Sequence, residues 1–332
     1  MKRLLKIILL VLIISLCTGF IGYSYNFNAI QIRLVGSKVD KGQNKPHYHF
    51  VIIAQDTEDD FWQSVKKGVD SAAAELGASV EFNGPVIRNE DDELEYLNIA
   101  IASHVDGIVV YVPDEAKFTP LINEATAEGI HVITIESDAE NSTRITCIGV
   151  NSFNAGFNAG TLVTEASNGK SNVALILSGN YLGDSNAENT LLSGFKFSTA
   201  SYPGIQLQAV KTSDTGYFGA EKTFRDILNN YPNINTVVCT SSDDTLEITQ
   251  VLIDLNKVGK ITVIGYNITS QIRDYIENGV IYGAVVEDPV QIGYHSIQSL
   301  VDSLNGKHVD DFIDTGVNKV TRGNLLQYLA NP

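Results

Sequence analysis

The sequence predicts an α/β protein made of two lobes, each a doubly wound parallel sheet covered by helices. Short β-branched runs alternate with amphipathic helical stretches along most of the 332 residues, and this alternation is typical of parallel sheets with helices on both faces. The strands would form one large sheet or two of about five, and the loose similarity of the two halves favours two. The matching segments are third strands at 107–110 and 236–239 and fourth strands at 129–133 and 260–264.

The individual elements follow from local patterns of apolar residues. Strands are expected at 49–54, 79–83, 107–111, 131–135, 146–149, 173–178, 205–210, 236–240, 261–265 and 281–286. Helices are expected near 58–76, 90–103, 117–128, 152–168, 185–200, 217–230, 243–257, 269–277 and 289–304.

The amino terminus has the composition of a membrane anchor. Lys2, Arg3 and Lys6 precede residues 7–25, which carry no charge and are long enough to cross a hydrocarbon layer about 30 Å thick. Basic residues before the span place residues 1–6 in the cytoplasm and the rest outside. We therefore expect a single-pass protein of the cell membrane with an extracytoplasmic binding domain.

Two alternatives exist for this segment. A cleaved signal peptide is the first, although no small-x-small cleavage site follows the run. Lipidation of Cys17 is the second, although Leu16 precedes it where a lipoprotein normally has a small residue. Residues 26–46 are polar and lack periodic structure, so they are expected to form a linker.

The first strand and the helix after it organise the expected site. Phe50 to Ala54 is an apolar run typical of a strand buried on both faces, and an acidic-aromatic turn at 55–62 follows it. The helix presents Val65 and Val69 among its apolar positions and ends at Gly77. Because ligands bind outside the carboxyl ends of strands in open α/β sheets, this turn is expected at the mouth of the site.

Phe61 and Trp62 are adjacent, so they point about 100° apart on a helix and cannot both face the core. We expect an aromatic face at the rim that packs on a sugar ring, with Asp59 among the carboxylates that bind its hydroxyls. The alternative is an acidic helix start stabilised by the helix dipole. Replacing Trp62 by Ala is expected to abolish sugar binding and to leave the fold intact, because it removes surface at the rim of the cleft and not part of the core.

Polar side chains also follow several other predicted strands. Glu136 comes after the fourth strand, Asn267 after the corresponding strand of the second lobe, and Glu287 after the strand that follows. The segment 179–189, which includes Asn189, follows the first strand of the second lobe. These groups converge if a cleft lies between two sheets.

Composition and motifs argue against other classes of protein. A formal net charge of −16 opposes binding to nucleic acid. The six histidines have no metal-ligand spacing, no phosphate-binding loop or nucleophile motif is present, and no cofactor is expected. Two acidic clusters leave a glycosidase as a weak alternative. Cys17, Cys147 and Cys239 lack paired spacing and are expected to be free thiols.

From about residue 48 to 325 the chain resembles the type I periplasmic sugar-binding proteins of the ribose, galactose and xylose group. The motifs that carry the resemblance are Asp59-Asp60-Phe61-Trp62, the segment 107–114, the segment 124–132, the segment 263–267 and Glu287-Asp288-Pro289. The resemblance implies a non-enzymatic protein whose two lobes, joined by three chain crossings, close around a ligand. It implies a first lobe of 47–150 plus 287–312 and a second of 151–286 plus 313–332.

The resemblance also implies a set of site residues and some departures from the family pattern. Ser137 and Asn189 stand where the family commonly has arginines, so the hydroxyl pattern of ribose cannot simply be copied. A pentose, with D-xylose as first choice, is the implied ligand. The implied contacts are Asp59, Phe61, Trp62, Glu136, Asn189, Ser241 (or its neighbour Ser242), Asn267 and Glu287.

A retained anchor is similar to that of membrane-anchored binding proteins that report sugar to a sensor histidine kinase. The expected partner is therefore the extracellular domain of such a kinase. Delivery of sugar to an ABC permease is the alternative. A repressor of the same core fold is disfavoured, because those proteins carry a helix-turn-helix where this chain has an apolar span.

Overall fold

The structure is a computed structural model that describes residues 48–178, 185–213 and 218–330. The expected cytoplasmic residues 1–6, anchor at 7–25 and linker at 26–46 lie outside these ranges. Across the described ranges, no helix is both long enough and apolar enough to cross a bilayer.

The first lobe is built on a six-stranded sheet. Its strands are β1 (Tyr48–Ile53), β2 (Ala78–Asn83), β3 (Gly107–Tyr111), β4 (His131–Ile135), β5 (Cys147–Gly149) and β11 (Phe312–Asp314). Its helices are α1 (Asp60–Leu76), α2 (Glu90–Ala102), α3 (Glu115–Ala127) and α9 (Pro289–Leu304). The strand order is β11-β5-β4-β3-β1-β2, and the strand pairs are parallel.

The second lobe repeats this arrangement. Its strands are β6 (Lys170–Leu177), β7 (Gly204–Thr212), β8 (Thr236–Cys239), β9 (Thr262–Tyr266), β10 (Gly283–Glu287) and β12 (Val317–Thr321). Its helices are α4 (Ser152–Ser167), α5 (Ser185–Thr199), α6 (Gly219–Asn230), α7 (Ser242–Asp254), α8 (Ser270–Glu277) and α10 (Leu325–Ala330). The order is β12-β10-β9-β8-β6-β7, with only β12 antiparallel to its neighbour among the pairs described.

Both sheets are doubly wound, as predicted. In each lobe the chain moves one strand outward and then returns to the other side of the first strand, which creates a switch point between β1 and β3 and another between β6 and β8. Apolar residues fill both faces of each sheet and form four core clusters, two in each lobe. Burial on both faces explains why the central strands are continuous β-branched runs.

Three chain crossings join the lobes, between β5 and α4, between β10 and α9, and between β11 and β12. Glu287 therefore ends a strand of the second sheet, although the expected boundary assigned it to the first lobe. Asp314 ends a strand of the first sheet, although the expected boundary assigned it to the second lobe. The Asp314 carboxylate accepts from the Asn151 backbone N–H at 3.0 Å and from the Asn154 side chain at 3.0 Å. These bonds tie the first crossing to the third.

A close helix contact links the start of the first lobe to the crossing at Glu287. A Cβ built on Gly293 of α9 would lie 2.0 Å from the Val65 carbonyl oxygen of α1, and one on Gly68 would lie 1.9 Å from the Val290 carbonyl oxygen. Only glycine permits the two backbones to approach so closely. The contact fixes α1, which carries the aromatic pair, against the helix that follows Glu287.

The predicted strands and helices are present, with ends that differ by three residues or fewer. The prediction missed β11, β12 and α10 at the carboxyl terminus. These elements are short and half-exposed, so they show no strong apolar period.

Candidate functional site

Three aromatic side chains pack together in the first lobe. The Trp62 ring meets the Tyr111 ring edge to face at 5.7 Å between centroids and the Phe61 ring at 5.6 Å. Phe61 and Trp62 begin α1, whereas Tyr111 ends β3. Phe61 is half-buried and is thus the member of the trio with the most ring surface for a ligand.

The expectation that Trp62 is rim surface and not core is wrong. Trp62 is 3% exposed and belongs to the core cluster on one face of the first sheet. The helix begins at Asp60, and the buried positions 62, 65, 69, 72 and 73 form its inward stripe, so Phe61 is the aromatic turned away from the core.

Asp59 caps the helix that carries the aromatic pair. Its side chain accepts a hydrogen bond from the Phe61 backbone N–H at 2.9 Å. Burial raises the pKa of this carboxyl, while hydrogen bonds from the Phe61 and Trp62 backbone oppose the rise. Asp59 therefore acts as the N-cap of this helix.

Three of the expected site residues meet at the base of the cleft. Asn267 and Glu287 come from adjacent strand ends of the second lobe, and the Asn267 side chain donates to Glu287 Oε2 at 2.8 Å. The Tyr266 hydroxyl donates to Glu287 Oε1 at 2.5 Å. Glu136, from the first lobe, lies close enough for its charge to interact with Glu287. The two lobes thus bring Glu136, Asn267 and Glu287 together.

The backbone at this cluster is held in uncommon conformations. Glu136 has φ 66° and Asn267 has φ 54°, both in the left-handed region. The Glu136 N–H donates to Ile148 O at 2.9 Å, and the Asn267 N–H donates to Val285 O at 2.8 Å. Neighbouring strands therefore hold these residues in place, and strained backbone of this kind concentrates at functional sites.

Burial shapes the electrostatics of the carboxyl cluster. Burial and then the charge of Glu287 raise the pKa of Glu136 well above its ordinary value. Burial also raises the pKa of Glu287, and the hydrogen bonds from Tyr266 and Asn267 act against that rise. Protonation of the pair is thus favoured over two adjacent charges.

The two remaining expected contacts differ in position. Ser241 caps α7, and its Oγ accepts from the Asp244 N–H at 3.1 Å. Asp244 itself is buried, and burial raises its pKa to about 7. Asn189 is exposed on α5. Most of the segment before it, 179–184, lies outside the described residues.

The sequence analysis missed Glu93 and Arg88. Glu93 is 2% exposed, its Oε2 has no hydrogen-bond partner within the described ranges, and burial raises its pKa to about 8. Glu93 lies on the same buried face of α2 as Leu97, Ala100 and Ile101. The helical period could therefore have singled it out as the buried residue among the acidic residues of the first turn.

Arg88 connects the lobes across the cleft. Its Nη1 lies 3.1 Å from Oδ2 of Asp243, which belongs to the first turn of α7 in the second lobe. Its positive charge also reaches Asp59, Glu93 and Tyr111. No pattern in the sequence distinguishes this arginine, because its partner is remote along the chain.

Metal-binding groups and cysteines are the remaining candidates for chemistry in the chain. In the part of the chain that the structure describes, no group of three or more His, Cys, Asp or Glu side chains could hold a metal ion. Cys147 and Cys239 are free and buried, as predicted, and Cys17 lies outside the described residues.

Comparison with known proteins identifies the family. Residues 50–308 match the family described as "Periplasmic binding protein domain". The chain belongs to this family. Its fold is that of the type I sugar-binding members, which bind sugars and are not enzymes. The expectation of a non-enzymatic protein is therefore confirmed.

Named relatives of this periplasmic binding protein bind sugars. The D-allose-binding periplasmic protein of Escherichia coli strain K12 is 20% identical over 265 residues, 76% of this chain and 84% of the relative. GanP, a glucose-galactose binding protein from Geobacillus stearothermophilus, is 31% identical, with 84% of this chain and 98% of GanP covered and a TM-score of 0.75. The XylFII–LytSN complex contains a chain 29% identical, with 83% and 98% covered and a TM-score of 0.70.

Proposed function

We propose that the protein binds a small sugar in the cleft between its lobes and closes around it to signal to a sensor histidine kinase. A pentose is the favoured ligand, and D-xylose is the first choice. The observation that carries this proposal is the meeting of Glu136, Asn267 and Glu287 from two lobes near Tyr111, whose aromatic cluster includes the half-buried ring of Phe61. Carboxylates and amides chelate hydroxyls, and an aromatic face packs on the C–H face of a sugar ring.

Closure supplies the signal. The ligand binds the closed form more tightly than the open form, so it shifts the population toward closure. The surface that both lobes present together then differs between the free and the bound protein. Similarity to the XylFII–LytSN complex supports a protein partner that senses this surface.

The proposed location is the cell membrane, with residues 7–25 as a single span and the binding domain outside. The uncharged run after Lys2, Arg3 and Lys6 motivates this proposal. Labelling an exposed lysine such as Lys67 with an impermeant reagent on intact cells checks it. Labelling only after lysis contradicts it.

Calorimetry tests the ligand directly. Full-length protein, unfolded and refolded to remove bound sugar, is titrated with xylose, ribose, arabinose, galactose and glucose. A dissociation constant in the micromolar range or below for one pentose supports the proposal. No heat with any of the five sugars contradicts it.

The second candidate is the substrate-binding subunit of an ABC importer. The Bacillus subtilis strain 168 ribose import binding protein RbsB, 21% identical over 280 residues with 83% of this chain and 88% of RbsB covered, favours this role. Pull-downs with full-length protein separate the two, because a sensor enriches a kinase and an importer subunit enriches a permease. Mass spectrometry of the amino terminus adds a second readout, since a lipidated end favours the importer.

A further inference from the structure

Glu136 and Glu287 come from different lobes and interact at the base of the cleft. Glu136 follows β4 of the first sheet, and Glu287 ends β10 of the second. Burial raises the pKa of both carboxyl groups, and the charge of Glu287 adds to the rise at Glu136. Two ionised carboxylates that share a buried site repel each other, so one of them takes up a proton.

The hydrogen bonds of the pair are unequal. Both oxygens of Glu287 already accept, one from the Tyr266 hydroxyl at 2.5 Å and one from the Asn267 amide at 2.8 Å. Donors of this kind favour the charged form of a carboxyl group. Glu136 Oε1, by contrast, is buried and has no partner among the residues described.

Within the described ranges, no cation adds to the groups that shift the pKa of Glu136. The groups that face it from neighbouring strands are Glu287 of β10, Tyr111 of β3 and Cys147 of β5, all of them neutral or negative. Arg144, near Cys147, is held in ion pairs with Asp138 at 2.6 Å and Asp311 at 2.6 Å.

The polar groups of α9 and the charge of Arg88 are engaged with partners other than Glu136. Helix α9 also packs on β4, but its Tyr294 hydroxyl donates to Glu75 at 3.0 Å and its His295 ring lies against Tyr294. Arg88 reaches Tyr111 but pairs with Asp243. Of the two carboxyl groups, Glu136 is therefore the one that, among the described residues, has a buried oxygen without a donor and no counter-charge.

We propose that Glu136 holds the proton of this pair and donates a hydrogen bond from its carboxyl group to an oxygen of the bound sugar. Glu287 remains the carboxylate that accepts from the protein and from the sugar. This inference rests on the proposed sugar-binding function. Ser137 and Asn189 stand where the family commonly has arginines, and Glu136 would supply a hydrogen-bond donor in their place.

A protonated Glu136 suits an oxygen that only accepts, such as the ring oxygen of the sugar. A protonated carboxyl group offers one donor and further acceptor capacity, whereas an ionised one only accepts. The left-handed backbone of Glu136, held by the bond from its N–H to Ile148 O, limits the directions that the side chain can take.

Infrared difference spectroscopy tests the protonation without any ligand. At neutral pH the wild-type full-length protein is expected to show carbonyl stretches of protonated carboxylic acids, to which Glu93 and Asp244 also contribute. The difference spectrum of wild type minus Glu136→Gln is expected to contain one such band, and the spectrum of wild type minus Glu93→Gln, which removes a separate buried acid, serves as the control. If Glu136→Gln leaves the band and Glu287→Gln removes it, the proton belongs to Glu287 and the proposal fails.

Calorimetry against pH tests the donor role. The wild-type affinity for the sugar is expected to fall as pH rises and Glu136 loses its proton, because the donor disappears. In Glu136→Gln the amide N–H replaces the donor, so this pH dependence is expected to vanish. Glu136→Ala is expected to weaken binding by at least about tenfold and by clearly more than Glu136→Gln.

The outcomes separate this inference from the proposed function. If wild type binds no sugar, the proposed function fails while the infrared band still decides the protonation of Glu136. If wild type binds sugar but Glu136→Gln weakens binding as much as Glu136→Ala, Glu136 acts as an ionised acceptor and the proposal is overturned.

Discussion

Phe61 and Trp62 are neighbours in sequence, but their different burial separates binding from stability. Replacement of Trp62 by Ala removes a core ring and is expected to cost about 3–5 kcal/mol of unfolding free energy as well as ligand affinity. Phe61→Ala removes a half-buried ring, so we expect at least a tenfold loss of sugar affinity with a much smaller loss of stability. Calorimetry and chemical denaturation measure the two effects.

Phe197→Ala is the matched control for both aromatic variants. Phe197 is 67% exposed on α5 and contacts Phe153 and Phe157 on the outer surface of the second lobe. Its replacement is expected to change neither quantity much. Equal stability loss in the Phe61 and Trp62 variants would contradict the assignment.

Glu93 makes stability depend on pH. Its pKa is raised from 4.5 to about 8 by burial, so below pH 4.5 both the folded and the unfolded state are protonated and stability is at its full value. Between these values the unfolded state releases the proton and the folded state keeps it, so the free energy of unfolding falls as pH rises. Each pKa unit corresponds to about 1.4 kcal/mol, so the total loss is several kcal/mol.

Glu93→Gln removes this loss. Compared with wild type, the variant is expected to melt at a higher temperature near pH 9, and the difference should shrink toward pH 4.5. Glu95→Gln, on the exposed side of the same helix, is the control and should show no such trend. A difference that is constant over pH would contradict the assigned burial of a neutral Glu93.

Among the helices, the contact of α1 with α9 governs how firmly the first lobe holds the site. Gly293→Ala places a methyl group against the Val65 carbonyl, which lies 2.0 Å from the ideal Cβ position. Overpacking of this kind costs about 1–3 kcal/mol, and the shift of α9 is expected to weaken ligand binding as well. Gln291→Ala on the exposed face of α9 is the control, and thermal melts with calorimetry provide the readout.

The strands and helices were predictable from the sequence because their signals are local. Buried parallel strands such as β3 are continuous apolar runs, and α9 has a strong amphipathic period with Pro289 at its start. The short edge strand β12 has no such run. Val320 is its single fully buried residue, so its sequence shows no alternation of apolar and polar positions. Its pairing with β10 depends on the tertiary structure.

The candidate site was predictable only in part. Residues at strand ends, such as Glu136 and Glu287, could be expected at one edge of a sheet. Which ring of the Phe61–Trp62 pair faces inward depends on where α1 begins, and the capping bond of Asp59 decides that. The ion pair of Arg88 with Asp243 joins different lobes, and no local pattern can indicate it.

For the molecule as a whole, the Arg88–Asp243 pair is expected to favour the closed arrangement of the lobes. Arg88→Gln or Asp243→Asn should increase the radius of gyration of the free protein in small-angle scattering and weaken sugar binding severalfold. Both side chains are about half exposed, so the effect should diminish at high salt. Lys66→Gln, which breaks an ion pair within α1 at 2.6 Å, is the control. An identical radius for Arg88→Gln and Lys66→Gln would contradict this role.

The strand order gives the crossing at Glu287 a mechanical consequence. The three crossings lie beside β5, β10, β11 and β12 at one edge of the sheets, whereas Arg88 follows β2 at the opposite edge. Neighbouring strands lie about 4.8 Å apart, so β2 is about 20 Å from β5 and forms a lever arm of that length. A rotation of about 10° at the fulcrum moves the tip of such an arm by roughly 3 Å, enough to separate an ion pair. A small rotation of the lobes about these crossings is therefore expected to break the ion pair between Arg88 and Asp243.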